Sequence, residues 1–274
     1  MSEKNAVIET SDALVLDTAH IWHGILYGDA GVGKSTAFAS MASKERPITV
    51  AIFDALGKDI PYHLRGRADA TLLPDQFEDK WGTRYREVRD SAGNLLVRIE
   101  YYHDARYDAP EAVGRFRERI NRLAREYARG QMWGFILDSA TSAALRFRKY
   151  DEYVENVGAR NTMQHYGAET SEIENVVLLH LPQLPCTVGV AMHVSKTKVE
   201  AEGTMVRAPA VRGRNQENLA TQWPEIYRVW VDKGEDGKKV RRFQTENDER
   251  WLATTVLGVP DGAVAGWKAI AKAF

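Results

Sequence analysis

The string Gly28-Asp29-Ala30-Gly31-Val32-Gly33-Lys34-Ser35, followed by Thr36, constrains this chain more than any other feature. It matches the pattern G-x-x-x-x-G-K-[ST] at every position. In that pattern the glycines let backbone N–H groups converge on a phosphate, the lysine reaches the β- and γ-phosphates, and the next hydroxyl helps to hold Mg²⁺. Average residue usage produces such a string in about one chain in a hundred of this length. The string therefore predicts a nucleotide site at residues 28–36.

The residues on either side have the character that such a loop requires. Residues 22–27 are apolar and predict a buried strand before the loop, whereas residues 35–44, rich in Ala and Met, predict a helix after it. Short apolar runs at 48–53, 133–137 and 187–192 predict further buried strands, separated by helical segments. This alternation predicts an α/β fold with a mostly parallel central sheet flanked by helices.

An insertion of uncertain role is predicted at residues 63–132. Within it, residues 85–101 predict a hairpin, and residues 110–131 predict an amphipathic helix. Six arginines of this helix form what we interpret mainly as a solvated face, with a subunit contact or an arginine finger as the alternative. The aromatic residues near the hairpin predict core packing, with stacking on unpaired bases as the alternative. They are Trp81, Tyr85, Tyr101 and Tyr102.

We expect a single domain over residues 1–274. Residues 1–19 are a polar lead-in, and a second hairpin is predicted at 225–244, near the C-terminus. Residues 194–215 are rich in Lys, Arg, Gly and Pro without strong periodicity, which predicts a flexible basic loop.

Charge and composition restrict the partners. The chain has 37 Lys+Arg against 38 Asp+Glu, a formal net charge of −1, so it is not a protein that binds nucleic acid through bulk charge. Any polyanion must be held by a local patch. The single Cys186 excludes disulfide frameworks and reads as a buried thiol. No apolar run approaches the roughly 20 residues that span a bilayer, and no secretory signal begins the chain, so we expect a cytoplasmic protein without membrane contact.

A phosphate loop of this kind needs an acidic residue at the end of a neighbouring strand, to hold the Mg²⁺ hydration shell. The apolar run 133–137 is followed by Asp138 and by small polar residues. We interpret Asp138 and Ser35 as the metal site. Asp54 ends another buried run and is the competing candidate, which could instead orient water.

At these positions the sequence resembles RecA-type ATPases, and most of all short phage members similar to the Sak-type single-strand annealing ATPases. The resemblance covers roughly residues 22–62 and 133–231. It rests on the phosphate loop, Phe53-Asp54-Ala55, Asp138-Ser139 and Val190-Ala191-Met192-His193. It implies a P-loop NTPase fold of RecA type, with ATP and Mg²⁺ as cofactors.

The resemblance also implies roles for single residues. In RecA-type proteins a tyrosine flanks adenine and a polar strand-end residue senses the γ-phosphate, and the matching positions are Tyr62 and His193. Lys34, Asp54 and His193 then form the expected catalytic set. Leu56 stands where the family has its catalytic glutamate, so either Asp54 activates water or hydrolysis is slow. The DNA contacts implied after the sensor are the basic residues Lys196, Lys198, Arg207, Arg212 and Arg214, for which a solvated surface segment is the alternative.

The resulting hypothesis is an Mg²⁺-dependent ATPase that acts on single-stranded DNA in phage recombination or replication. It would act as a homo-oligomer, a ring or a filament, with a single-strand-binding protein as a candidate partner. Two alternatives stay open. One is a nucleotide-gated loader or assembly factor with little turnover, and the other is a P-loop phosphotransferase with an arginine-bearing lid at residues 106–129.

Overall fold

The computed structural model describes most of the chain. The described residues are 21–54, 70–78, 82–104, 106, 108–128, 133–159, 162–198, 205–211, 215–234, 236–248 and 250–274. Their strands are β1 His23–Tyr27, β2 Ile48–Ile52, β3 Ala70–Leu72, β4 Gln76–Glu78, β5 Thr83–Asp90, β6 Leu95–Tyr101, β7 Gly134–Asp138, β8 Thr187–Met192, β9 Val194–Lys198, β10 Met205–Pro209, β11 Glu225–Lys233 and β12 Lys239–Gln244. Their α-helices are α1 Lys34–Ala39, α2 Ala112–Ala128, α3 Ala140–Tyr150, α4 Thr162–Ile173, α5 Asn215–Gln222 and α6 Trp267–Ala271.

Ten of these strands form one sheet within the described residues, in the order β12-β11-β1-β8-β7-β2-β6-β5-β3, with β4 paired to β5. The six strands from β11 to β6 run parallel, and the strands at both ends are antiparallel. The expected mostly parallel sheet flanked by helices is thereby confirmed. One strand, β8, separates the strand before the phosphate loop from β7, which ends at Asp138.

Helices cover both faces of the sheet, and the sheet separates two hydrophobic clusters. On one face α2, α3 and α4 pack with the region around Trp223, and Phe116 and Phe147 meet Phe53 there. On the other face α1 packs with the C-terminal segment, where Val259 and Ile270 are buried. The free Cys186 lies in the first of these clusters, and burial raises the pKa of its thiol to about 12. The prediction of a buried thiol is confirmed.

The helix after the phosphate loop is shorter than predicted, since it ends at Ala39 and not near residue 44. The Ser40 hydroxyl accepts a hydrogen bond from the Trp267 amide (2.8 Å), and the chain then closes a turn bridged by Ser43 and Arg46. The C-terminal helix α6 therefore contacts the chain directly after α1. The Ala-rich composition of residues 35–44 gave no indication of this contact.

The predicted insertion belongs to the sheet itself. Its hairpin, β5 and β6, forms as predicted, and β6 pairs in parallel with β2 over Ile48–Ile52. The Asp90 carboxylate closes the turn by accepting hydrogen bonds from the backbone amides of Ala92 and Asn94. The C-terminal hairpin, β11 with β12, also forms as predicted.

The prediction of a flexible loop over 194–215 is wrong for the part that the structure describes. β9 and β10 form a separate antiparallel ribbon, and α5 begins at Asn215. The backbone of Arg207 bonds to Arg250 and Leu252, so the ribbon is tied to the C-terminal segment. Long-range backbone bonds of this kind leave no periodic trace in the sequence.

Among the described residues, no helix is both long enough and apolar enough to cross a lipid bilayer.

Candidate nucleotide-binding site

The loop between β1 and α1 has the shape that its glycines predicted. Gly31 and Gly33 have φ angles of +76° and +101°, in the left-handed region that other residues rarely adopt. The Lys34 ammonium turns back into the loop and donates to the carbonyls of Gly28 (2.9 Å) and Asp29 (2.8 Å). Burial lowers the pKa of Lys34, while the nearby Asp138 opposes that shift. Among the described residues, the hydrogen bonds of this buried ammonium go to neutral carbonyls, so it is suited to an incoming anion.

Ser35 and Asp138, the two predicted metal residues, meet in space. The Ser35 hydroxyl donates to Asp138 Oδ2 at 2.5 Å, across 103 residues of sequence. Burial raises the pKa of the Asp138 carboxyl, and the Ser35 hydrogen bond and the Lys34 charge partly offset this shift. Two oxygens this close, one from a hydroxyl and one from a buried carboxylate, are the hard ligands that Mg²⁺ prefers.

Thr36 supplies an independent test of whether the site fits a nucleotide. Its hydroxyl oxygen is buried and has no hydrogen-bond partner among the described residues. A buried hydroxyl without a partner costs free energy unless a ligand completes it. Thr36 follows Lys34 and Ser35 directly, so the orphaned hydroxyl, the buried ammonium and the carboxylate-bound hydroxyl lie in one turn of chain. The residues present therefore fit a phosphate chain and a divalent ion.

Asp54 and His193 lie beside this centre, as the carboxyl ends of neighbouring parallel strands must. Asp54 follows β2 and His193 follows β8, and His193 Nε2 lies 3.8 Å from Asp54 Oδ2. The His193 backbone amide donates to the Thr141 hydroxyl at 3.1 Å, which ties β8 to α3. Burial and the Lys34 charge lower the pKa of His193, whereas Asp54 raises it. The imidazole is therefore mostly neutral at pH 7 and can accept or donate one proton.

Arg241 is a cation of this site that sequence reasoning missed. It lies on β12, two strands away from β1, and its side chain packs against Gly33 so closely that a Cβ on that glycine would collide with it. The predicted C-terminal hairpin gave one part of this information, because its register pairs Arg241 with Val231. Without the sheet order, no pattern in the sequence places that strand beside the phosphate loop.

Most arginines of α2 do not form the solvated face that we predicted. Arg119 is buried and bonds to Glu100 (2.9 Å) and Glu126 (2.5 Å). Arg117 bridges Glu155 and Glu172 at 2.6 and 2.7 Å. The glutamates that neutralise these arginines come from other elements as well as from α2, which a count along the helix does not reveal.

The remaining predicted residues are only partly described. Arg207 is exposed and its guanidinium lies 4.7 Å from the centre of the Trp251 ring. Lys196 and Lys198 lie on β9, and their side chains are outside the described part. Tyr62, Arg212 and Arg214, as well as Leu56 and Trp81, also lie outside the described residues. The proposed adenine and DNA contacts therefore stay predictions.

The three aromatic residues of the hairpin that are described differ in burial. Tyr102 is fully buried and stacks on Phe53 with ring centres 5.3 Å apart, as the core prediction required. Tyr101 is 5% exposed, and Tyr85 is half-buried under the Arg98 guanidinium, 3.9 Å from its ring centre.

Comparisons with known proteins add little to these observations. No family model matches the chain, and no curated protein matches it. Among solved structures it is similar to a KaiC-like protein from the archaeon Pyrococcus horikoshii OT3, with a TM-score of 0.40 and 11% identity over 81% of this chain and 78% of that one. A likeness at this identity concerns the fold alone.

Proposed function

We propose that this protein binds ATP with Mg²⁺ and hydrolyses it. The observation that carries the proposal is the 2.5 Å contact between Ser35 Oγ and Asp138 Oδ2, formed beside the buried Lys34 ammonium. Lys34 would exchange its two loop carbonyls for phosphate oxygens, and Thr36 would donate its unpartnered hydroxyl to one of them. Mg²⁺, when bound by Ser35 and Asp138, supplies charge neutralisation at the β- and γ-phosphates.

Asp54 and His193 are the groups that would handle the attacking water. The Asp54 carboxylate can accept a proton from that water, and the neutral His193 imidazole, 3.8 Å away, can hydrogen-bond it or the γ-phosphate. Both side chains are about one-third exposed, so water reaches them from solvent.

The polymer on which this ATPase would act is single-stranded DNA, in phage recombination or replication, with the protein assembled as a ring or filament. Support comes from the β9–β10 ribbon, which begins directly after His193 and carries the exposed Arg207. A strand end that reads the γ-phosphate and continues into a cationic ribbon could couple nucleotide state to a phosphate backbone.

The decisive experiment is ATP turnover with and without single-stranded DNA, run together with a sizing measurement. We expect Mg²⁺-dependent turnover that DNA stimulates and that Lys34→Ala reduces by roughly 100-fold or more, because the phosphates lose their main cation. Lys44→Ala is the matched control, since Lys44 is exposed and pairs only with its neighbour Glu45 among the interactions described. Turnover by Lys34→Ala at the wild-type rate would refute the ATPase proposal.

A nucleotide-gated module with little turnover is the second candidate. It is favoured by Leu56, which stands where the family that the sequence resembles has its catalytic glutamate, so that Asp54, 3.8 Å from His193 Nε2, is the acid left for that role. Tight Mg²⁺–ATP binding without measurable hydrolysis, even with DNA present, would select this candidate. Transfer of phosphate to a small acceptor would instead select the phosphotransferase.

A further inference from the structure

A second cleft opens on the same edge of the sheet as the phosphate loop. It has a volume of about 540 Å³ and lies at the carboxyl end of β6, around Tyr101, His103 and Asp104. Tyr101 pairs with Ile52 on β2, and Ile52 pairs with Asp138 on β7. Neighbouring strands are about 4.8 Å apart, so the backbones of Tyr101 and Asp138 are about 10 Å apart. The cleft is therefore adjacent to the nucleotide site and separate from its residues.

One wall of the cleft is a row of side chains across three strands. The register pairs Phe77 on β4 with Arg84 on β5, and Arg84 with Tyr101 on β6, so the three side chains share one face. The Arg84 guanidinium lies 4.5 Å from the centre of the Tyr101 ring, and Phe77 is 64% exposed. Tyr101 is 5% exposed, so the surface left for a planar base is the Phe77 ring and the Arg84 guanidinium, and both groups can stack on a base.

Cations line the opposite side. Arg115 donates to the His103 carbonyl (3.1 Å) and to Glu111 (3.2 Å), which holds its guanidinium at the rim. Arg106 is exposed and pairs with Asp108 at 2.9 Å. Glu111 and Asp108 are themselves largely exposed, and exposed ion pairs contribute at most about 1 kcal/mol. A phosphate can therefore replace these carboxylates at little cost.

The buried carboxylate of Asp104 also belongs to the cleft. Asp104 Oδ1 accepts hydrogen bonds from the backbone amides of Glu111 and Ala112, both at 2.7 Å. Asp104 Oδ2 is buried without a hydrogen-bond partner among the described residues, with Arg146 at 3.9 Å, and the side chain is 2% exposed. Asp104 is among the residues that line the cleft, and through Oδ1 it fixes the backbone at the start of α2 beside Arg115.

We propose that this cleft binds a nucleotide unit, distinct from the ATP at the phosphate loop. Its base would stack on the exposed Phe77 ring and on the Arg84 guanidinium, which covers Tyr101, and its phosphate would lie against Arg106 and Arg115. The unit is either a free mononucleotide or one nucleotide of a single strand, and both present the same base and phosphate.

The test uses two probes with the full chain, in the presence of saturating Mg²⁺–ATPγS so that the phosphate loop is filled. Thymidine 5′-monophosphate is titrated by calorimetry, and a fluorescein-labelled oligodeoxythymidine by anisotropy. We expect at least one probe to bind, and Arg84→Ala and Phe77→Ala to weaken it about tenfold each, since stacking is worth about 1–3 kcal/mol per base. Binding of the oligomer alone identifies a single strand as the source, and binding of the monophosphate alone identifies a free nucleotide.

Arg89→Ala is the matched control. Arg89 lies on the same strand as Arg84, five residues or about 17 Å further along, and bonds to Glu87 and the Gly93 carbonyl. The proposal is overturned if neither probe binds, or if Arg89→Ala weakens binding as much as Arg84→Ala. The Arg84 and Phe77 side chains are exposed, so both variants should fold like the wild type, which circular dichroism checks.

The inference does not depend on ATP hydrolysis. Lys34→Ala should still bind the probe with wild-type affinity, because Lys34 does not line the cleft. If the protein binds the probe but does not hydrolyse ATP, the cleft proposal stands and the ATPase proposal is refuted. If it hydrolyses ATP but does not bind the probe, the ATPase proposal stands and the cleft proposal is refuted.

Discussion

At the scale of single residues, the phosphate loop depends on two glycines with different surroundings. Gly31 and Gly33 both have positive φ angles, but a Cβ on Gly31 would meet no atom within 4 Å, whereas one on Gly33 would collide with Arg241. The two positions therefore separate backbone strain from crowding.

Gly31→Ala should lower the free energy of unfolding by about 1–2 kcal/mol, the cost of a left-handed conformation for alanine. Gly33→Ala should lower the free energy of unfolding further, because Arg241 must also move. The double variant Gly33→Ala/Arg241→Ala should then lose no more stability than Gly31→Ala. Urea unfolding of the three variants measures this. Equal losses for Gly31→Ala and Gly33→Ala would contradict the packing of Arg241 against the loop.

His193 gives the stability a defined pH dependence. Burial lowers the pKa of its imidazole below the unfolded value of about 6.5, so protonation favours the unfolded chain. Its contribution is fully present above pH 6.5 and is lost as the pH falls through the folded pKa. Thermal melts of wild type and His193→Gln from pH 7.5 to 5 should show wild type losing more stability. Since His23 and His103 also have lowered pKa values, only the difference between the two proteins reports on His193.

At the scale of elements, α2 is attached to the sheet by a buried ion pair. Arg119 is 4% exposed and bonds to Glu100, whose side chain is fully buried on β6, and Tyr102 donates to the same carboxylate. Arg98 also donates to Glu100, at 2.9 Å, so removing Arg119 leaves the buried carboxylate with one cation fewer.

Arg119→Ala should therefore destabilise the protein by about 1.5–3 kcal/mol in urea unfolding, because Glu100 loses a buried charged donor but keeps Arg98 and Tyr102. Arg117→Ala, on the same helix, is the control: its ion pairs with Glu155 and Glu172 are one-third exposed, and we expect a loss of no more than about 1 kcal/mol. A small effect of Arg119→Ala would mean that Arg98 and Tyr102 are sufficient partners for Glu100.

The same elements show what the sequence could and could not predict. The strands that carry Asp54, Asp138 and His193 were predictable because each is a short apolar run that ends in a polar residue. The partners of Arg119 and Arg241 were not, because they depend on which strands are neighbours, and strand order is a property of the whole chain. The prediction of a flexible loop after His193 was wrong for a related reason. The β9–β10 ribbon is held by backbone hydrogen bonds to Arg250 and Leu252, which lie far along the chain.

At the scale of the whole molecule, one carboxylate joins the central sheet to the C-terminal segment. Glu225, at the start of β11, is buried and accepts hydrogen bonds from the backbone amides of Val256 and Leu257, both at 2.9 Å, and from the Thr255 hydroxyl at 2.8 Å. The Tyr227 hydroxyl also donates to it. The segment after residue 253 is thus fastened to the sheet close to the phosphate-loop strand.

Glu225→Ala should lower the free energy of unfolding by about 3 kcal/mol or more, because two backbone amides lose a charged acceptor. Limited proteolysis should then cut the C-terminal segment faster than in wild type. Glu246→Ala, at an exposed position, is the control and should leave both measurements unchanged. Equal cleavage rates in the two variants would show that Glu225 does not fasten the segment.

The same C-terminal segment has a consequence for self-association. On the outer side of β12, the Arg241 carbonyl accepts a backbone hydrogen bond from Ala265. Phe243 donates to the Ala263 carbonyl and accepts from the Gly262 amide, so backbone groups at this border of the sheet are already hydrogen-bonded. At the opposite border the described residues form two short strands of three residues each, β3 Ala70–Leu72 and β4 Gln76–Glu78, which both pair with β5. A sheet finished in this way gives little template for adding a strand from another molecule. Copies of this protein that gather into a larger assembly would recognise one another through side chains, and the composition of those surfaces would set its geometry.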